Sequence, residues 1–147
     1  HFIYNETLRD RVCTVSNKTH YNEMNVLSMH ALIGAYQPQG YEWVDELNQV
    51  LAGNIEYFCT DVDEHFEGVG YSRPQGTYMV FLDCTEWCRE HGRDIQWLLD
   101  EGARVGVGYQ DGRPFHGPCH VRVNLALPLS RVREACDRLD RYVFNAR

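Results

Sequence analysis

Lysine is almost missing from this chain: Lys18 is the only one, and every other side chain of permanent positive charge is an arginine. Fourteen Lys and Arg residues stand against 21 Asp and Glu, a formal charge of −7. A nucleic-acid surface needs a basic footprint, so that class of partner is excluded. Long apolar runs are missing too; none reaches the roughly 18–20 residues that span a bilayer, so no membrane partner is expected. No secretory-signal pattern stands at the start, and His1, which is not a natural initiator, marks a trimmed chain. Internal repeats, low-complexity tracts and evident linkers are absent as well. Cysteine is not scarce, with six residues (13, 59, 84, 88, 119 and 136). They are scattered through helical and strand patterns in a chain large enough to need no staples. Reduced, partly buried thiols in a cytoplasmic protein are therefore expected.

What is present suits one domain. A chain of 147 residues with 44% hydrophobic and 24% charged residues can bury a substantial core. Phe2-Ile3-Tyr4 reads as a short strand-like piece ended by Asn5. Glu6 to His20 reads as a helix or extended arm, and Asn22 to Tyr36 as a second helix closed by Gln37-Pro38-Gln39-Gly40. From Tyr41 to about Glu67, Trp43, Leu47, Val50/Leu51, Ile55, Phe58, Val62 and Phe66 recur by threes and fours, predicting a long amphipathic helix. Val69 to Arg73 and Thr77 to Asp83 read as strands, the second rich in β-branched and aromatic residues. Asp94 is a natural N-cap for a helix from Ile95 to about Glu101 with Gly102 as its stop. Val105 to Tyr109 is predicted as a brief strand and 110–114 as a loop. After a strand from His120 to Leu127, Ser130 can cap a final helix buried along Val132, Cys136, Leu139 and Val143. The expected fold is α+β: a two-layer sandwich with a small mixed or antiparallel sheet covered by helices.

Three constellations could carry chemistry. The first is Cys84, Cys88 and His91, which would share a helix face, with Cys119-His120 as possible further zinc ligands. Structural zinc sites pair cysteines in tight turns, and adjacent side chains on a strand diverge, so no metal site is expected. The second is Lys18, in a polar setting that points to a surface residue and not to a Schiff base. The third is Arg122, in Gly-Pro-Cys-His-Val-Arg-Val-Asn-Leu-Ala-Leu-Pro (117–128). Alternation puts Val121, Val123 and Leu125 on one face and His120, Arg122 and Asn124 on the other. A guanidinium is planar, permanently charged and forked, the natural partner of a carboxylate or phosphate. On the residues alone, Arg122 either reserves that fork for a ligand, or lies at a sheet edge in water or paired to an acid.

The run Gly76-Thr77-Tyr78-Met79-Val80-Phe81-Leu82-Asp83-Cys84, then 95–101, Val105-Gly106-Val107-Gly108-Tyr109 and the Arg122 strand, is similar in order and spacing to a known pattern. It resembles the C-terminal part of pyridoxal-phosphate enzymes of the aminotransferase-like fold, in the branch of cystathionine β-lyase-like carbon–sulfur lyases. Asn25-Val26-Leu27-Ser28, Ala35-Tyr36, Trp43 to Leu47 and Leu51-x-x-Asn54 fit the same branch, and the resemblance covers nearly the whole chain. It departs at Phe81 (usually tryptophan), His120 (usually aromatic), Leu129 (usually arginine) and in the 110–117 loop.

The resemblance implies the small C-terminal domain of a larger enzyme, with residues 1–24 the end of the large domain and the connection to the small one. It implies that Arg122 binds the substrate's α-carboxylate, with Asn124 a weaker substrate-binding candidate that could equally order the strand. Pyridoxal phosphate is the cofactor it implies for the full-length enzyme, with its Schiff-base lysine outside this segment. This chain alone is therefore expected to bind no cofactor and to be inactive. An amino-acid substrate, the large domain of the same polypeptide and a second copy in a homodimer are the implied partners. The chemistry implied is β-elimination or amino transfer. A stand-alone amino-acid-binding or regulatory module and a zinc-stabilised interaction domain are the alternatives.

Overall fold

Asparagine side chains start the first two helices. The Asn5 side-chain oxygen accepts from the Leu8 N–H at 2.9 Å and caps α1 (Glu6–Thr19). Asn25 caps α2 (Val26–Ala35) in the same way through the Ser28 N–H. The computed structural model describes residues 3–20 and 24–145, and the chain divides into two compact units, His1–Asp45 and Glu46–Arg147. Ile3 and Tyr4 join no strand, contrary to expectation: Asn5 is committed to the helix cap and nothing among the described residues pairs with them. Phe2, the first residue of that expected strand, and Asn22, the expected start of the second helix, lie outside the described residues. Gln37-Pro38-Gln39-Gly40 ends α2 but also opens α3 (Pro38–His65), because a proline in a first turn forgoes only an N–H that has no intrahelical partner.

In the unit Glu46–Arg147, the second part of α3 buries Asn54, Phe58, Cys59 and Val62. A four-stranded, wholly antiparallel sheet follows, built from β1 (Gly70–Tyr71), β2 (Met79–Asp83), β3 (Gln110–Asp111) and β4 (His120–Asn124) in the order β1-β2-β4-β3. Between β2 and β3 stand α4 (Thr85–His91) and α5 (Ile95–Arg104); α6 (Leu129–Leu139) closes the unit and passes into a π-helical turn, Asp140–Phe144. Val80, Leu82, Val121 and Val123 line one face of the sheet and join Phe58, Val62, Trp87, Leu98, Val132 and Leu139 in one core. The expected α+β fold is what forms, a sheet with helices packed on one face.

Four local expectations are corrected. The helix α4, to which no element was assigned from the sequence, starts where Asp83 accepts from the Thr85 N–H at 2.9 Å, and Trp87 and Cys88 are its buried residues. Gly102 lies inside α5 and not at its end, because the Tyr109 ring occupies the space a side chain would fill: a Cβ there would stand 2.6 Å from the ring. The stop comes at Gly106, whose φ of +79° suits glycine alone, and the Val107 N–H folds back to the Gly102 carbonyl. Hence 105–109 is a turn, and the strand β3 begins at Gln110. Finally, β4 ends at Asn124 and not at Leu127, and α6 begins at Leu129 with Pro128 as its flanking residue, so Ser130 does not cap it.

Candidate functional site

Arg122 sits at the centre of β4, an inner strand, with Phe81 of β2 opposite it on one side and Gln110 of β3 on the other. The edge-strand reading is therefore excluded. Because side chains alternate, Arg122 shares its face with His120 and Asn124 of β4 and with Met79, Phe81 and Asp83 of β2. None of these is fully buried: this is the sheet face that the helices leave open.

The loop between β3 and β4 folds over that face. Gly112 and Gly117 make this possible, since a Cβ on Gly112 would overlap the His120 backbone and one on Gly117 would lie 2.5 Å from the Phe81 ring. A short 3-10 turn (Arg113–Phe115) then brings the Phe115 ring under the guanidinium, 4.0 Å from the ring centre to Arg122 Cζ. In the plane of the fork, Arg122 Nε donates to Gln110 Oε1 at 2.7 Å, and Nη2 donates to the same oxygen. Among the described residues no carboxylate lies within ion-pair distance of this half-buried guanidinium. A cation in such a setting ordinarily has an anionic partner. Arg122 is thus stacked on a ring and held by a neutral group, with no carboxylate partner among the described residues.

The neighbours of Arg122 make contacts within the protein. Asn124 Oδ1 accepts from the Ala126 N–H at 2.8 Å and turns the chain out of the strand. Asn54, the buried polar residue of α3, donates from its side-chain amide to the Leu125 carbonyl at 2.9 Å and the Leu127 carbonyl at 2.8 Å. His120 lies against Phe81, ring centres 4.7 Å apart, and 3.8 Å from the Asp83 carboxylate. Burial opposes ionisation of Asp83, but the Thr85 hydroxyl and N–H and the adjacent His120 outweigh it, so its carboxyl sits below the usual carboxylate range.

Of the other two constellations, the first brings Cys84, Cys88 and Cys119 near one another but leaves His91 apart. Burial, and then the neighbouring Cys119 thiol, push Cys88 up to about 12, and burial pushes Cys84 up as well. His91 stacks on Trp87 and bonds the Trp87 carbonyl through Nδ1. Among the described residues no group of three His, Cys, Asp or Glu could hold a metal ion. Lys18 is exposed in the last turn of α1. Gln110, Phe115 and Asn54 are the contributors that the sequence reading missed. The signal available for Gln110 was its antiparallel register with Arg122, which becomes visible only once β3 is placed one turn later than expected.

A four-stranded antiparallel sheet in this order, helices over one face and an arginine on the open face of an inner strand, has the fold of the C-terminal domain of pyridoxal-phosphate-dependent aminotransferase-like enzymes. A pyridoxal-phosphate-bound protein from Clostridium difficile named "putative aminotransferase" superposes with a TM-score of 0.78 over 94% of this chain and 35% of its own, at 22% identity. Cystalysin from Treponema denticola, which contains the same cofactor, gives 0.76 over 95% of this chain and 35% of its own, also at 22%. By sequence the chain is homologous to proteins named "Putative cystathionine beta-lyase": 35% identical to that of Mycobacterium leprae and 33% to that of Mycobacterium tuberculosis, each across 74% of this chain. It spans 30% of the length of these relatives. No protein-family model matches.

The residues present do not fit pyridoxal phosphate as a resident group. A Schiff-base lysine must reach its neutral form, which takes burial or a cationic neighbour, and the chain's one lysine stands open to water in the other compact unit.

Proposed function

We propose that this chain is the C-terminal, carboxylate-binding domain of a pyridoxal-phosphate-dependent enzyme acting on amino acids, an aminotransferase or a carbon–sulfur lyase of the cystathionine β-lyase type. One observation carries the site: Arg122 is half-buried on an inner strand, fixed by an aromatic ring and a neutral amide, with no carboxylate partner among the described residues. A guanidinium held in this way binds the α-carboxylate through two parallel N–H donors and sets the orientation of the amino acid. Asn124 supports the strand end beside it. The cofactor is held by residues outside this chain, and the chain alone is inactive.

Residues 1–24 close the large domain of the same polypeptide, and that domain together with a second copy of the enzyme covers the apolar side chains of the first unit. Support for this comes from α2, which has no buried residue although Val26, Leu27, Met29, Leu32 and Ile33 are all on it. No helix among the described residues is long and apolar enough to cross a membrane, and all six cysteines are free thiols, which supports a cytoplasmic setting.

The test is Arg122→Ala and Arg122→Lys in the full-length enzyme. Loss of a charge-assisted, two-pronged contact raises KM for the amino acid by about ten- to a hundredfold, and lysine, which keeps the charge but not the fork, recovers only part of it. An unchanged KM in Arg122→Ala would remove Arg122 from the site.

A further inference from the structure

The fork of Arg122 has two usable edges, and the structure shows what holds one of them. Gln110 Oε1 accepts from Nε and Nη2, the side edge, while Phe115 covers one flat face at 4.0 Å. Among the described residues Nη1 donates to nothing, so the end edge, Nη1 with the second N–H of Nη2, is the free one. Gln110 is exposed on β3 at the register position beside Arg122, so its side chain and the guanidinium lie next to each other on one sheet face. An acid at position 110 would satisfy Arg122 far better than an amide does, yet the residue here is neutral.

On this basis, and resting on the reading of Arg122 as the carboxylate site, we propose that Gln110 is a positioning and specificity-determining residue. It holds the side edge of the Arg122 guanidinium with a neutral acceptor, so that the end edge meets a monocarboxylate without competition from the protein's own charge. Gln110 does not touch the substrate; it acts through Arg122. It orients the fork without neutralising it, and an acidic side chain in its place would act as a built-in competitor of the amino acid. Phe115 shares the task by fixing the plane of the guanidinium from below.

Gln110→Met and Gln110→Glu test this in the full-length enzyme, with Arg122→Ala measured in parallel. The readouts are KM and kcat for the amino acid that the wild type turns over best, and the inhibition constant of propionate, a plain monocarboxylate probe. Methionine keeps the length and removes the acceptor, so KM rises about three- to tenfold with kcat nearly unchanged. Glutamate, which differs from the native residue only in charge and one donor group, raises both KM and the propionate constant at least about thirtyfold while melting stays within a degree or two of wild type. A merely structural role would move melting and kcat in both variants alike and would not separate glutamate from methionine. If Arg122→Ala raises KM but Gln110→Glu stays within twofold of wild type, the role of Gln110 is wrong and the carboxylate site stands. If Arg122→Ala leaves KM unchanged, the underlying site is wrong and the assignment of Gln110 falls with it.

Discussion

Asn54 ties the long helix to the segment that follows the Arg122 strand, and its removal makes a quantitative test of the fold. It is 1% exposed, and its amide nitrogen is the shared donor to the Leu125 and Leu127 carbonyls. Asn54→Leu keeps the volume and leaves both carbonyls without that donor. The Leu125 carbonyl bond is buried, so its loss costs about 1–3 kcal/mol; water reaches the part-buried Leu127 carbonyl and limits its share, for a total of about 2–4 kcal/mol. Trp87 and Trp97 stack 5.7 Å apart inside the same unit and report its unfolding, while Trp43, 62% exposed, belongs to the first unit and is best replaced by phenylalanine for the measurement. With a urea dependence of about 2 kcal/mol per molar, the fluorescence midpoint of Asn54→Leu falls by about 1–2 M. Asn54→Ala, which also opens a cavity, falls further. A midpoint shift below about 0.3 M for Asn54→Leu would mean that Asn54 does not hold the strand exit, and the account of why β4 ends at Asn124 would fail with it.

The elements whose signal is long or rigid were legible in the residues. Spacings of three and four along 43–66 foretold α3, β-branched and aromatic residues foretold β2, and alternation along 119–127 set which side of β4 carries Arg122. What was missed depends on contacts between distant parts. Nothing near Gly102 says that a tyrosine seven residues later fills the space above it, so a helix-interior glycine looked like a stop. Nothing local shows that Asn54 takes the carbonyls of 125 and 127, so the strand looked three residues too long. The short helix α4 is buried through only Trp87 and Cys88, too few positions for a period to show. At the site, Arg122 could be named because a charge in an apolar run is conspicuous in sequence. Gln110 and Phe115 could not: an amide and a ring in a loop acquire meaning only through a strand register and a turn that two glycines permit.

Arg122 and Gln110 supply kinetic predictions above; the remaining ones concern stability. Asp83→Asn keeps the acceptor for the Thr85 N–H and hydroxyl and removes only the charge. Because the folded carboxyl lies below its unfolded value near 3.9, its ionised form stabilises above that value, and the contribution is lost as pH falls through the folded pKa. Asp83→Asn is therefore less stable than wild type at pH 7, by no more than about 1 kcal/mol for so exposed a group, and the two converge once the pH lies below the folded pKa; a gap that persists at low pH would contradict this. Two glycines inside helices give opposite signs. A Cβ at Gly53 meets nothing within 4 Å, so Gly53→Ala gains the ordinary helix preference of alanine, about 0.5–1 kcal/mol. At Gly102 the same methyl meets the Tyr109 ring at 2.6 Å, while the Tyr109 hydroxyl is anchored to the Leu98 carbonyl and resists being moved aside. Overpacking of about 1–3 kcal/mol outweighs the helix gain, and Gly102→Ala loses about 1–2 kcal/mol. Both are read from denaturation midpoints, and Gly102→Ala,Tyr109→Ala settles the cause: with the ring gone, the alanine at 102 recovers its favourable sign relative to Tyr109→Ala alone. If it remains unfavourable there, the ring is not what requires glycine, and the placement of the 105–109 turn that leads into Gln110 and the Arg122 site would have to change.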